Sequence, residues 1–215
     1  MSFKDTSAFF IQDQCFFGSY PTQEQIFELE DWGVDVIINL TSDTERKITL
    51  YTTKVDVIQL SIPDHGIPKD NIEFCRLVVK LCDMIENGKK IYIHCKAGHG
   101  RSGVLVAAIL CLKYSITPDD SFYLTTKYHS TRLKHAKRPK MNTYWKAKGS
   151  PQTTEQKDFV RLIFHPYKIS KICDETKIWF SGKYDNFFLS TYLSPIKGEG
   201  GDQFYKYRMS LFRFI

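Results

Sequence analysis

"KKIYIHCKAGHGRSGVLVAAILCLKY", Lys89–Tyr114, is the stretch on which the fold turns. "KKIYIH" (89–94) has the β-branched and aromatic content of a short buried strand. From Arg101 onward the chain is apolar on nearly every face, as expected of a central buried helix. Between strand and helix lie Cys95, Lys96, Ala97, Gly98, His99 and Gly100. Glycine lets successive backbone N–H groups turn into one concavity, and the helix start adds its own N–H groups and the positive end of its dipole. Residues 96–101 therefore read as a cradle for a tetrahedral dianion, with Arg101 a planar fork able to hold two of its oxygens.

A cysteine at the floor of such a cradle is placed for nucleophilic work. Helix N-termini and nearby cations favour the thiolate, so Cys95 is expected to attack a bound phosphorus atom and form a phosphocysteine. Ser102 can donate a hydrogen bond to the sulfur and ease its departure. His94 reads either as a residue that fixes the loop or as a strand-end packing residue. An alkoxide or phenolate leaving group needs a proton donor, and "SIPDHGIPKD" (61–70) offers Asp64 and Asp70. Asp64 ends a strand-like run beside the His65-Gly66 turn, and carboxyl ends of parallel strands share a crevice. Asp70 reads as a helix-start residue. Asp64 is the favoured acid, and its carboxylate could then activate water.

Working outward, strands and helices alternate. "YPTQEQIFELEDWG" reads as a helix with Thr22 as N-cap, Gln25 completing a capping box and Gly33 ending it. "VDVIINL" (34–40) and "VDVIQLSI" (55–62) read as strands. "KDNIEFCRLVVKLCDMIENG" carries Ile72, Cys75, Val79, Cys82 and Ile85 on one helical face and stops at Asn87-Gly88. Thr117-Pro118-Asp119-Asp120 opens another helix, and Thr153 with Gln156 opens a last one. The pattern predicts an α/β fold, a central sheet flanked by helices.

The chain has 215 residues and a formal net charge of +6. No window approaches the roughly 18 apolar residues of a membrane span, and the N-terminus lacks the pattern of a secretion signal. Six scattered cysteines without a C-x-x-C pair argue against disulfide scaffolding and structural zinc, and for a reducing, cytoplasmic setting. Cys75, Cys82 and Cys111 read as buried small hydrophobes. Residues 121–154 hold no Asp or Glu but carry Lys127, Arg132, Lys134, Lys137, Arg138, Lys140, Lys146 and Lys148, with Tyr128, Tyr144 and Trp145 among them. The stretch 127–148 is either a solvated basic face or a surface for a polyanion such as RNA or a phosphoinositide.

His94-Cys95-x5-Arg101-Ser102 resembles the signature of the cysteine-dependent protein tyrosine phosphatases. "FFGSYPTQEQIFELEDWGVDVIINL", "SIPDHGIP" and "NGKKIYIHCKAGHGRSGVLVAAIL" are similar in order and spacing to the dual-specificity branch, over roughly residues 10–165. The resemblance implies Cys95 as nucleophile, Arg101 as phosphate binder, Asp64 as acid, and no cofactor or metal. It implies a water-positioning role for Gln156, with Gln152 competing, although a capping box also accounts for Gln156. Little room before Cys95 for a pocket-deepening loop implies a shallow site accepting phosphotyrosine, phosphoserine and phosphothreonine in proteins. RNA 5′-triphosphatases and phosphoinositide phosphatases share this chemistry and are the alternative; a silent phosphate-binding module is a third reading, against which the intact Cys95, Arg101 and Asp64 speak. The phosphatase domain is expected over 1–168. Residues 169–215 form an aromatic-rich extension in which "IWFSGKYDNFFLSTYLSPI" faintly resembles the start of a NADAR domain.

Overall fold

The computed structural model describes residues 2–45, 48–136 and 139–164. The aromatic-rich extension, Cys173, Lys137 and Arg138 lie outside the described residues. In chain order the elements are α1 (Phe3–Thr6), β1 (Ser7–Ile11), β2 (Cys15–Gly18), α2 (Gln23–Asp31), β3 (Val36–Asn39), β4 (Asp56–Gln59), α3 (Asn71–Glu86), β5 (Ile91–His94), α4 (Arg101–Tyr114), α5 (Pro118–Ser130), α6 (Pro139–Lys148) and α7 (Thr154–Ile163). The strands form one sheet in the order β1-β2-β5-β3-β4. Only β1 runs antiparallel to its neighbour; β2, β5, β3 and β4 are parallel. This is the expected α/β architecture.

Local chemistry explains most boundaries. Thr22 and Gln25 form the reciprocal capping box of α2, and Gly33 follows with φ of 83°. Thr117 caps α5 with Pro118 at its first position. Asp70 caps α3 by accepting from the N–H groups of Ile72 and Glu73. The apolar face of α3 is rotated from the expected one. Phe74, Cys75, Leu77, Val78, Leu81, Cys82 and Ile85 are buried, whereas Ile72, in the first turn, is 42% exposed. β4 is an edge strand with mostly exposed side chains, so its apolar run is not a buried one. The sheet edge β1 and the buried strand β2 were not assigned from sequence.

One face of the sheet packs Phe16, Ile37 and Tyr92 against Phe3 of α1 and Ile26 and Leu29 of α2. α4 is buried from Arg101 to Leu112, with α3, α5 and α7 packed beside it. Because β2, β5, β3 and β4 are parallel, their carboxyl ends open on one edge. That edge receives the loop after β5, the turn after β2 and the segment leading from β4 to Asp64. Among the described residues no helix is long and apolar enough to cross a membrane.

Candidate active site

The loop from Cys95 to Gly100 connects the end of β5 to the first turn of α4, and close packing from behind fixes its path. Gly98 has φ of 73°, and a Cβ there would lie 2.2 Å from the Gly18 carbonyl carbon. Only glycine fits, because both the left-handed backbone and the approach to β2 exclude a side chain. The Tyr20 N–H donates to the Lys96 carbonyl at 3.0 Å, a second tie between the loop and the end of β2. The Gly98 N–H points inward and donates to Cys95 Sγ at 3.2 Å. Cys95 itself is buried at the floor, while Lys96 and Ala97 form the more exposed rim. Ser102 is buried in the first turn of α4, and its hydroxyl has no protein partner.

Arg101 begins α4 and is only 2% exposed. Its Nη1 and Nη2 donate to Glu45 Oε2 and Oε1 at 2.6 and 3.1 Å, a two-pronged ion pair. Nη1 also donates to the Ile62 carbonyl at 3.1 Å, and Nη2 to Asp64 Oδ1 at 2.8 Å. Burial alone would pull the guanidinium down, but Glu45, Cys95 and Asp64 together raise it further. Burial would likewise raise the Glu45 carboxyl; hydrogen bonds and charge from Arg101, with help from Lys96 at 3.5 Å, hold it below the usual range. Glu45 was not singled out from sequence. It stands in an unremarkable polar segment, and its pairing with Arg101 spans 56 residues.

Asp64 reaches the loop from the strand-end segment as expected. Its side chain is half exposed, with Oδ1 shared between Arg101 and the His65 N–H. Asp70 is spent on capping α3 and does not reach the loop. His94 is fully buried, and burial brings it down to about 3, so it is neutral. Its Nε2 lies 2.8 Å from Tyr51 Oη, and Tyr20 packs edge-on to its ring. His94 thus combines burial with a hydrogen bond to Tyr51, a residue that no local sequence signal marks.

His99 contributes only its backbone to the cradle. Its buried ring turns away, with Nδ1 2.8 Å from His129 Nε2 and the ring stacked on Trp145. The Ser150 hydroxyl donates to the His99 carbonyl. Gln156 is fully buried and its amide is committed. Oε1 accepts from the N–H groups of Gln152 and Thr153, and Nε2 donates to the Gly66 carbonyl at 3.1 Å. It thus forms the capping box of α7 and ties that helix to the segment carrying Asp64, beside Gly100. Gln152 is partly buried and supplies only its backbone to this contact. Among the described residues no group of three or more His, Cys, Asp or Glu side chains is arranged to hold a metal ion.

Comparison with known proteins agrees with this geometry. The model of the family described as "Polymorphic toxin system, DSP-PTPase phosphatase" matches residues 14–114. "Putative tyrosine phosphatase 067L" of Invertebrate iridescent virus 3 is 36% identical over 163 residues, 74% of this chain and 65% of the viral protein. "Putative tyrosine phosphatase 197R" of Invertebrate iridescent virus 6 is 35% identical over 159 residues, 72% of this chain and 52% of that protein. The chain thus spans between half and two thirds of the length of these relatives. Among solved structures, Tk-PTP in its active form aligns with TM-score 0.58 at 21% identity, covering 74% of this chain and 96% of that one. The human tyrosine phosphatase-like serine/threonine/tyrosine-interacting protein aligns with TM-score 0.58 at 15% identity, covering 78% and 99%, a likeness of fold. The viral relatives, the family model over residues 14–114 and the Cys95–Ser102 loop agree in one likeness, to the cysteine-dependent, dual-specificity-type phosphatases.

Proposed function

We propose that the chain hydrolyses phosphate monoesters of phosphorylated proteins, on tyrosine and on serine or threonine, through a phosphocysteine. The observation that carries this reading is the convergence of three groups on one loop. Cys95 lies at its floor, Arg101 at its end, and Asp64 sits 2.8 Å from Arg101 with its side chain open to solvent. In the first step Cys95 Sγ attacks phosphorus in line. The S–P bond forms, the bond from phosphorus to the leaving oxygen breaks, and the Asp64 carboxyl delivers its proton to that oxygen. In the second step water attacks phosphorus, its proton goes to the Asp64 carboxylate, and Sγ leaves with help from the Ser102 hydroxyl. Backbone N–H groups of residues 96–101 hold the equatorial oxygens throughout, joined by the Arg101 Nε–H and by the Nη2 proton that Asp64 releases as it turns to the leaving oxygen. Gln156 acts by fixing the Asp64 segment against the loop.

The half-exposed Asp64 and the exposed rim at Lys96 and Ala97 suit a shallow site that admits short and long phosphorylated side chains alike. The five described cysteines are free thiols, which suits a reducing compartment such as the cytoplasm. Phosphoinositide is the second reading. A solved structure of PTPMT1 in complex with PI(5)P shares the fold, "Phosphatidylglycerophosphate phosphatase PTPMT1" of Arabidopsis thaliana is 27% identical over 108 residues, and α6 exposes Lys140, Lys146 and Lys148.

Phosphate release decides between the readings. Phosphotyrosine and phosphothreonine peptides, a 5′-triphosphorylated RNA and phosphoinositide vesicles are compared with a chelator present. Turnover of both peptides, abolished by Cys95→Ser, supports the proposal. Turnover confined to RNA or lipid overturns the protein substrate but keeps the chemistry, and equal turnover by Cys95→Ser overturns the chemistry.

A further inference from the structure

Arg132 follows α5 and is only 3% exposed. Its Nη2 donates to the Phe17 carbonyl at 3.0 Å, and its guanidinium lies 4.5 Å from the centre of the Phe17 ring. Nε and Nη1 have no protein partner although both are buried. A buried guanidinium ordinarily has a carboxylate beside it. Among the described residues no carboxylate pairs with Arg132.

Position supplies the missing anion. Phe17 of β2 stands in parallel register with Ile93 of β5, so their side chains share one face of the sheet. Cys95 follows Ile93 by two residues, one past the end of β5, and its charge acts on the Arg132 guanidinium. The guanidinium resting on Phe17 is therefore set beside the floor of the loop, from within the core. Burial pulls Arg132 down to about 10, with Tyr92 and Cys95 acting against that fall, so it stays charged at neutral pH. The other titratable neighbours offer no negative charge there. His99 of the loop, His129 of α5 and His135 are all held neutral by burial, and burial pushes the Tyr92 hydroxyl, which donates to the Ser19 carbonyl, well up.

We propose that Arg132 is a positioning residue for the nucleophile, a buried cation whose counter-charge is the Cys95 sulfur and which keeps that sulfur reactive independently of Arg101. The assignment rests on Cys95 being the nucleophile. Arg101 faces Cys95 too, but Glu45 and Asp64 already neutralise it. Arg132, whose one protein acceptor is the uncharged Phe17 carbonyl, has no carboxylate beside it among the described residues.

The test reads the thiol directly and needs no substrate. The full chain is treated with iodoacetamide between about pH 5.5 and 9, and the rate at Cys95 is followed by mass spectrometry of its peptide. Arg132→Met keeps the aliphatic stem and removes the charge; Arg132→Lys keeps the charge. Circular dichroism reports folding of each. Arg132→Met should alkylate about ten-fold more slowly than wild type near pH 6 and converge with it near pH 9. Arg132→Lys should stay within about three-fold at every pH. A folded Arg132→Met with the wild-type profile overturns the proposal, and so does a folded Arg132→Lys whose profile moves upward by about one pH unit or more. Should Arg132→Met not fold, the Lys variant decides alone. A phosphatase assay on the same samples separates the two readings: normal thiol reactivity without turnover counts against the hydrolase and not against Arg132.

Discussion

At the scale of single residues, the site is a set of charges that fix one another. Arg101 is held on three sides by Glu45, Asp64 and the Ile62 carbonyl, so its fork is oriented before any substrate arrives. Glu45→Gln keeps the shape and removes the charge that opposes Arg101. We expect kcat/KM on a small aryl phosphate to fall about ten-fold or more, near the cost of a charge-assisted pair, and an unchanged value would show that the fork needs no such anchor. Asp64→Ala should lower kcat about a hundred-fold for an alkyl phosphate and far less for an activated aryl phosphate, whose leaving group needs little protonation. Asp70→Ala is the internal control. It removes an N-cap, so it should cost about 1 kcal/mol of stability in urea denaturation and leave the leaving-group dependence untouched. If Asp70→Ala carries the leaving-group effect instead, the acid is misassigned.

At the scale of elements, the loop depends on what lies behind it. A Cβ at Gly98 would meet the Gly18 carbonyl carbon at 2.2 Å and the Ser19 nitrogen at 2.6 Å, backbone atoms at the end of the paired strand β2 and just beyond it. They cannot rotate away, so Gly98→Ala should push the loop off the strand. About a hundred-fold loss of kcat/KM with a stability loss of about 2 kcal/mol is expected; a variant with wild-type kinetics would mean the loop has slack. The same elements show where sequence reading succeeds. The loop was legible because Cys95, Gly98, Gly100, Arg101 and Ser102 fall within one stretch of eight residues, and because a strand and a buried helix flank them with distinct periodicities. The helix caps at Thr22, Asp70 and Thr117 were legible because each cap is complete within four residues. Glu45, Tyr51 and Arg132 were not. Their roles come from partners 56, 43 and 115 residues away, and nothing local marks them. β2 escaped for a different reason: all four of its residues are buried, so it shows no alternation, and its Phe-Phe pair suits helix and strand alike. The α3 stripe was rotated because Phe74, Leu77, Val78 and Leu81 outweigh the Ile72 position once the helix meets α4 and α7.

At the scale of the molecule, buried histidines make stability depend on acid. His94 under the loop and His99 within it are each brought from 6.5 to about 3, burial being the main cause in both. His129, which shares a hydrogen bond with His99, is also held low by burial, with the Arg132 charge adding to it. A folded-state value below the unfolded one means that the unfolded chain binds more protons between the two. Stability therefore rises with pH across that window, is complete above about 6.5, and is lost progressively as pH falls toward 3. Taking His94 and His99 alone, each would contribute at most about 2 kcal/mol of loss by pH 5. Glu45 adds to the loss at lower pH, beginning as pH falls into the ordinary carboxylate range, where the unfolded chain's carboxyl takes up a proton while Arg101 keeps the folded one ionised. Urea midpoints measured at pH 7.5, 6 and 5 should thus decline before the carboxylates titrate. His99→Gln removes one of the protonation sites without changing the backbone of the loop. It should be less stable than wild type at pH 7.5, because the His129 contact and the Trp145 stack are lost, yet decline less steeply between pH 6.5 and 5. A wild-type midpoint that stays flat to pH 5, or a His99→Gln slope equal to that of wild type, would mean that the buried imidazoles take up protons without cost. The packing of His99 against His129 and Trp145, with a lone guanidinium close by, gives them no room to do so.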